Sequence, residues 1–178
     1  MTVSRDLDAP DFAIGIVGAG AMGRGIAQIA AAGGFNIRIT DAAPEVAEAS
    51  VSFASQMLRR AAEKGRTTPA DAEAAVSRMT VVPDIAGLAG CAVVIEAIVE
   101  DLDVKREMFA DLENVVSASC ILASNTSSLS VTAIASACEN PERVAGFHFF
   151  NPVPLMRVVE VIAGQRTQAD ACEALSAI

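Results

Sequence analysis

His148 is the only histidine among the 178 residues, and it stands among phenylalanines in the run RVAGFHFF. A lone imidazole in such a setting commonly does nothing but pack. Glu160 alters that reading. It lies twelve residues on, inside the apolar run VVEVI, where an ionised carboxylate is costly to bury unless it is paired. If the two runs are neighbouring strands, Glu160 reaches His148. A carboxylate on one ring nitrogen fixes the tautomer and stabilises the imidazolium, which leaves the other nitrogen to act as a general base. Asn125, Thr126, Ser127 and Ser128 supply a second polar cluster. Ordinary turn and cap chemistry accounts for that cluster as well as a catalytic role does.

A third constellation lies near the start. Gly18-Ala19-Gly20-Ala21-Met22-Gly23 fits G-x-G-x-x-G between a strand-like run, FAIGIVG, and a helix-forming one. In that context Gly18 permits a tight turn, Gly20 lets a pyrophosphate approach the main chain, and Gly23 lets the helix lie close to the sheet. The helix N-terminus offers its unpaired N–H groups to the phosphates. Asp41 follows Gly23 by eighteen residues, placed to accept from the adenine ribose hydroxyls and to repel the extra phosphate of NADP. The motif therefore predicts NAD(H). The competing reading is a structural turn with Asp41 capping the next helix.

The elements that must position these groups alternate. FAIGIVG, FNIRIT, TVVPD, CAVVIEAI, CILASN, RVAGFHFF and LMRVVEVI read as strands. Helical stretches fall between them: AMGRGIAQIAAA, stopped by Gly33-Gly34; a long run with Pro44 in its first turn and Gly65 after its last; a shorter run with Thr68 as N-cap; DVKREMFADLENVV; and SVTAIASAC with Ser130 as cap. This order predicts an α/β protein, a Rossmann-type doubly wound and mostly parallel sheet with helices on both faces. Residues 12–178 are expected to form one dinucleotide-binding domain, with 1–11 as an N-terminal extension. QADACEALSAI begins a helix that has no closing glycine before the sequence stops, so a boundary cut through a larger protein is expected there.

Composition narrows the field. A net charge of −9 with neither Trp nor Tyr argues against a nucleic-acid partner. The opening residues lack a secretory signal, and no apolar run reaches membrane-spanning length, so no membrane partner is expected. Cys91, Cys120, Cys138 and Cys172 contain no C-x-x-C pair. With one histidine, no metal site is expected. Buried thiols in a reducing cytoplasm fit this pattern.

Four segments together carry a resemblance: GAGAMGRGIAQ, VIEAIVEDLDVKREMF, ILASNTSSLSVT and RVAGFHFFNPVPLMRVVEVI. They resemble the NAD-binding domain of the 3-hydroxyacyl-CoA dehydrogenases from about Phe12 onward. The resemblance implies NAD-dependent oxidation of (S)-3-hydroxyacyl-CoA to 3-oxoacyl-CoA, or the reverse. His148 would exchange a proton with the 3-oxygen, Glu160 would orient His148, and Ser127 would hydrogen-bond the reacting oxygen. It also implies that Asn125 and Asn151 help place cofactor or substrate. Glu100 and Lys105 would meet the nicotinamide-side ribose, although a solvated helix entry accounts for both equally well. Glu96 matches the family pattern without an assigned chemistry. Arg59, Arg60, Lys64 and Arg66 form a basic cluster, of which Lys64 is the expected acyl-CoA contact; a solvated helix face is the alternative.

The family's all-helical C-terminal domain is expected to be absent from this chain, since nothing matches its entry motif. That domain supplies a further catalytic asparagine, closes the acyl pocket and makes most of a homodimer interface. The fragment is expected to bind NAD, to be catalytically incomplete and to expose apolar surface. Two other readings stand. One is a 3-hydroxyisobutyrate or 6-phosphogluconate type of dehydrogenase, which shares the G-x-G-x-M-G opening but lacks HFFNP. The other is a non-enzymatic dinucleotide-binding domain. Acyl chain length and pathway are left open: fatty-acid oxidation, aromatic-acid degradation and butyrate metabolism all fit.

Overall fold

In the computed structural model, which describes Ala9 and residues 12–178, the chain folds around a seven-stranded sheet of order β3-β2-β1-β4-β5-β6-β7. The strands are β1 Ala13–Val17, β2 Asn36–Thr40, β3 Met79–Val81, β4 Val93–Glu96, β5 Ile121–Ser124, β6 Val144–Phe149 and β7 Val159–Ala163. Strands β1 to β6 run parallel, and β7 closes the edge antiparallel to β6. The α/β, mostly parallel architecture is the expected one. The expected extension at 1–11 lies, except for Ala9, outside the described residues.

Alternation along the strands feeds two cores. Ile14, Ile16, Val93, Ile95, Ile121, Ala123, Phe147 and Phe149 face the layer made by helices α1 (Ala21–Ala32), α2 (Pro44–Glu63), α3 (Pro69–Ser77) and α6 (Ala169–Ser176). Ala13, Val17, Val94, Leu122 and Val144 face the layer of α4 (Leu102–Val115) and α5 (Val131–Ala135). Such double burial explains why the strands read as nearly continuous apolar runs. The helix signals act as their chemistry suggests. The Thr68 hydroxyl accepts the Asp71 amide and the Ser130 hydroxyl accepts the Ala133 amide, while Gly34 and Gly65 adopt φ of +106° and +68° just beyond α1 and α2. A short 3-10 turn at Ile85–Leu88 has no counterpart in the expected pattern.

Among the described residues no helix is long and apolar enough to cross a membrane, and no group of three or more His, Cys, Asp or Glu side chains could hold a metal ion. Cys91, Cys120 and Cys138 are buried, and Cys172 is half-buried. Burial pushes Cys91 and Cys138 up to about 11, which leaves them protonated and inert at neutral pH.

Candidate active site

The parallel strands end at one edge of the sheet, and the glycine turn follows β1 there. Strand order reverses between β1 and β4, the crevice where open α/β sheets bind ligands. Gly18 has φ of +93°, and a Cβ on it would lie 2.6 Å from the Ala97 carbonyl oxygen. Gly23 is closer still: its Cβ would stand 1.8 Å from the Gly18 carbonyl oxygen. The tightest approach at Gly23 is therefore to the turn itself, with the sheet (Ile16) next at 3.3 Å. Gly20 is the exception. A Cβ there would meet no atom within 4 Å, so its missing side chain makes room for something outside the fold. The amides of Gly20, Ala21 and Met22 open α1 and have no partners within the helix. Ala21 is exposed beside this space, while Met22 packs against the core.

Asp41 follows β2 on the same edge. Its carboxylate accepts the Ala19 amide at 2.7 Å and the Ala43 amide at 3.0 Å. Each oxygen keeps a second lone pair for a ribose hydroxyl. The Ala19 carbonyl accepts the buried Ser50 hydroxyl, so Ala19 holds the turn to both β2 and α2. Open space above Gly20, helix amides and an anchored carboxylate fit a dinucleotide.

His148 and Glu160 are direct partners across the β6–β7 pair. Residues opposed in this way share one face of the sheet. The His148 Nδ1 lies 2.9 Å from Glu160 Oε2. The imidazole side chain is 15% exposed against 54% for the carboxylate, so the ring is sheltered and Glu160 is open. Phe150 stacks obliquely on the ring at 4.5 Å between centroids.

Two loops bring the remaining polar groups to this edge. Asn125 follows β5, and its Oδ1 accepts the Phe149 amide at 2.9 Å. That bond ties the Asn125–Ser128 loop to the residue after His148. Ser127 is exposed; its amide and hydroxyl both turn to Glu100 Oε1, at 3.0 and 3.4 Å. Glu100 also accepts the Thr126 hydroxyl at 2.6 Å. Partial burial works against its charge, but the Thr126 hydroxyl, the Ser127 amide and Lys105 outweigh it and bring its pKa from the usual 4.5 to about 2.

Lys105 departs from expectation. It is no solvated helix entry: its side chain is 1% exposed, with Nζ 2.6 Å from Glu96 and 3.3 Å from Glu100. Its ammonium is buried and held between these two carboxylates.

Beside α1, a cleft of about 540 Å³ is lined by Lys64, Arg60 and Arg66 on one side and Asn151 to Leu155 on the other. Arg59 does not belong to it; two hydrogen bonds, of 2.6 and 2.9 Å, turn it to Glu73 on α3. Sequence reasoning missed Arg24, Phe53 and Met57 in this wall. The Arg24 guanidinium sits 4.0 Å above the Phe53 ring, a cation–π contact. Phe53, Met57, Arg60 and Lys64 recur at helical spacing along α2, and that stripe was the available signal. The Asn151–Pro152 bond is cis, and Val153 packs against Gly25 of α1. Leu155, Met156, Val158, Val159 and Ile162, which follow in the chain, are exposed apolar side chains.

Residues 13–178 match the family model of the 3-hydroxyacyl-CoA dehydrogenase NAD-binding domain. The chain is 44% identical over 155 residues to a probable 3-hydroxybutyryl-CoA dehydrogenase of Bacillus subtilis, covering 87% of this chain and 54% of that protein. It is 41% identical over 162 residues to 3-hydroxyadipyl-CoA dehydrogenase of Escherichia coli, covering 91% and 34%. Among solved structures, (S)-3-hydroxybutyryl-CoA dehydrogenase from Ralstonia eutropha superposes with a TM-score of 0.89 at 37% identity, covering 93% of this chain and 58% of that one. The chain thus spans about half the length, or less, of the curated relatives it matches. It belongs to the 3-hydroxyacyl-CoA dehydrogenase family, matching the NAD-binding domain, and its cofactor is NAD.

Proposed function

We propose that the protein carrying this domain interconverts (S)-3-hydroxyacyl-CoA and 3-oxoacyl-CoA, with His148 as the proton-transfer group. The 2.9 Å contact between His148 Nδ1 and Glu160 carries the reading. Glu160 accepts the Nδ1 proton, which leaves Nε2 unprotonated and free to face the substrate. In oxidation, Nε2 takes the 3-hydroxyl proton as the C3–H bond breaks and the C3–O double bond forms. NAD supplies the acceptor for the hydride that leaves C3. In reduction, the imidazolium returns its proton to the 3-oxygen. Glu160 balances the ring's charge in both directions. Ser127 holds the 3-oxygen by a hydrogen bond, and Asn125 and Asn151 fix the loops on either side.

At the cofactor, the amides opening α1 hold the pyrophosphate and Asp41 holds the adenine ribose. Glu100 accepts from the other ribose, with Lys105 keeping Glu100 charged. Lys64, Arg60 and Arg66 lie where they can bind the phosphates of acyl-CoA by charge. A helical domain beyond this chain would cover exposed apolar side chains such as Leu155 and Met156, complete the acyl pocket and form a homodimer. Buried thiols such as Cys91 and Cys138 suit a reducing cytoplasm.

The test is NADH oxidation by the native polypeptide that carries this domain, followed at 340 nm with acetoacetyl-CoA. Turnover that requires the CoA ester supports the reading. Turnover with a free 3-hydroxy acid and NAD, and none with acetoacetyl-CoA, would favour the 3-hydroxyisobutyrate type instead.

A further inference from the structure

Glu96 ends β4 and is fully buried, with an exposure of 0%. Its Oε1 accepts the Lys105 ammonium at 2.6 Å and the Ile98 amide at 2.7 Å, and its Oε2 accepts the Ser124 hydroxyl at 2.7 Å. Of these partners only Lys105 belongs to the cofactor site described above, and it reaches that site through Glu100. A buried ion pair adds little net stability, because desolvation offsets most of the attraction, and an apolar pair of similar volume often serves as well. Two routes lead from Glu96 to the same place. One runs through Ser124, whose Oγ accepts the Thr126 amide at 3.2 Å. The other runs through Lys105 to Glu100, which gathers the Thr126 hydroxyl at 2.6 Å, the Ser127 amide at 3.0 Å and the Ser128 amide at 3.3 Å.

We propose that Glu96 is a positioning residue that sets the Asn125–Ser128 loop and Glu100 from inside the core, and so shapes the nicotinamide-side half of the cofactor site. This rests on the reading of Glu100 and Ser127 given under the proposed function. The adenine-side half is held by Asp41 and the Gly18–Gly23 turn, whose hydrogen bonds to Asp41 do not run through the Glu96 carboxylate.

That separation supplies the test. NADH spans both halves, whereas ADP reaches only the adenine side. Glu96→Gln keeps the shape and the acceptor oxygen but removes the charge facing Lys105. Titration of this chain is expected to show NADH binding weakened about tenfold, the scale of one charged hydrogen bond, with ADP binding unchanged within about twofold. Ser124→Ala, which leaves the ion pair intact, should weaken NADH about threefold in the same selective way, and it carries the test alone if Glu96→Gln does not fold. Equal weakening of NADH and ADP would assign Glu96 a general structural role and overturn the proposal. So would unchanged NADH binding in the variants that fold. Glu100→Gln separates the two levels. If it leaves NADH binding intact, the reading of the site fails and the proposal with it. If it weakens NADH while the Glu96 and Ser124 variants do not, the proposal alone fails.

Discussion

Replacing Gly20 by alanine separates a ligand role from a folding role more sharply than other changes in the turn. Gly20 has φ of −64° and ψ of −166°, a conformation open to any residue. A Cβ there would meet no atom within 4 Å. Folding loses a modest N-cap preference and gains from a less flexible unfolded chain, terms of about 0.5–1 kcal/mol with opposite signs. The melting temperature should therefore move by less than about 4 °C. NADH binding is another matter. In the proposed binding mode the methyl would fill the space where the pyrophosphate meets the opening amides of α1. Loss of one charged hydrogen bond costs about 1.5–3 kcal/mol, or roughly 10- to 150-fold in affinity. Gly23→Ala is the contrast. Its methyl would lie 1.8 Å from a backbone oxygen, so the turn must open, at a cost of about 3 kcal/mol and 6–12 °C. Isothermal titration with NADH and thermal denaturation of both variants give the comparison. Gly20→Ala with unchanged NADH affinity, or with a melting point as low as that of Gly23→Ala, would refute the reasoning.

Asp41→Ala should weaken NAD about tenfold or more but NADP by less than about threefold, because the lost carboxylate both holds the ribose and repels the 2′-phosphate; equal losses on titration would count against its role. Glu100 gives a pH signature. Its pKa is about 2 in the fold against the usual 4.5, so the unfolded chain binds the proton more readily. The stabilisation is present above about pH 4.5 and is lost as pH falls toward 2. Glu100→Gln should flatten the acid limb of stability between those values, and a denaturation series from pH 6 to 2 that shows no difference from the parent would oppose this.

The parts of the site that are close in sequence were legible in it. The glycine turn and Asp41 belong to one β-α-β unit, so spacing alone sets their geometry. His148 and Glu160 were readable as a pair because a carboxylate inside VVEVI demands a partner and the adjoining strand offers one. Glu96 was not readable, since its partners Lys105 and Ser124 come from α4 and β5, nine and twenty-eight residues away. The same limit hid the burial of Lys105, which a charged helix start gave no reason to expect. Arg59 and Arg60 are neighbours in the chain but point about 100° apart on a helix, so one turns to Glu73 while the other lines the cleft. A basic run does not reveal which of its charges are already neutralised. Phe53 and Met57 were passed over because an apolar helix face commonly means core, and only the packed fold shows Phe53 exposed beneath Arg24.

The central claim is that His148 moves the substrate proton beside the NAD site. The most direct measurement is turnover of acetoacetyl-CoA and NADH by His148→Gln in the native polypeptide that carries this domain, with NADH affinity determined on the same preparation. The account predicts a fall of about 10²- to 10⁴-fold in kcat, with NADH affinity within about twofold of the parent. Turnover near the parental rate with NADH still bound would contradict it.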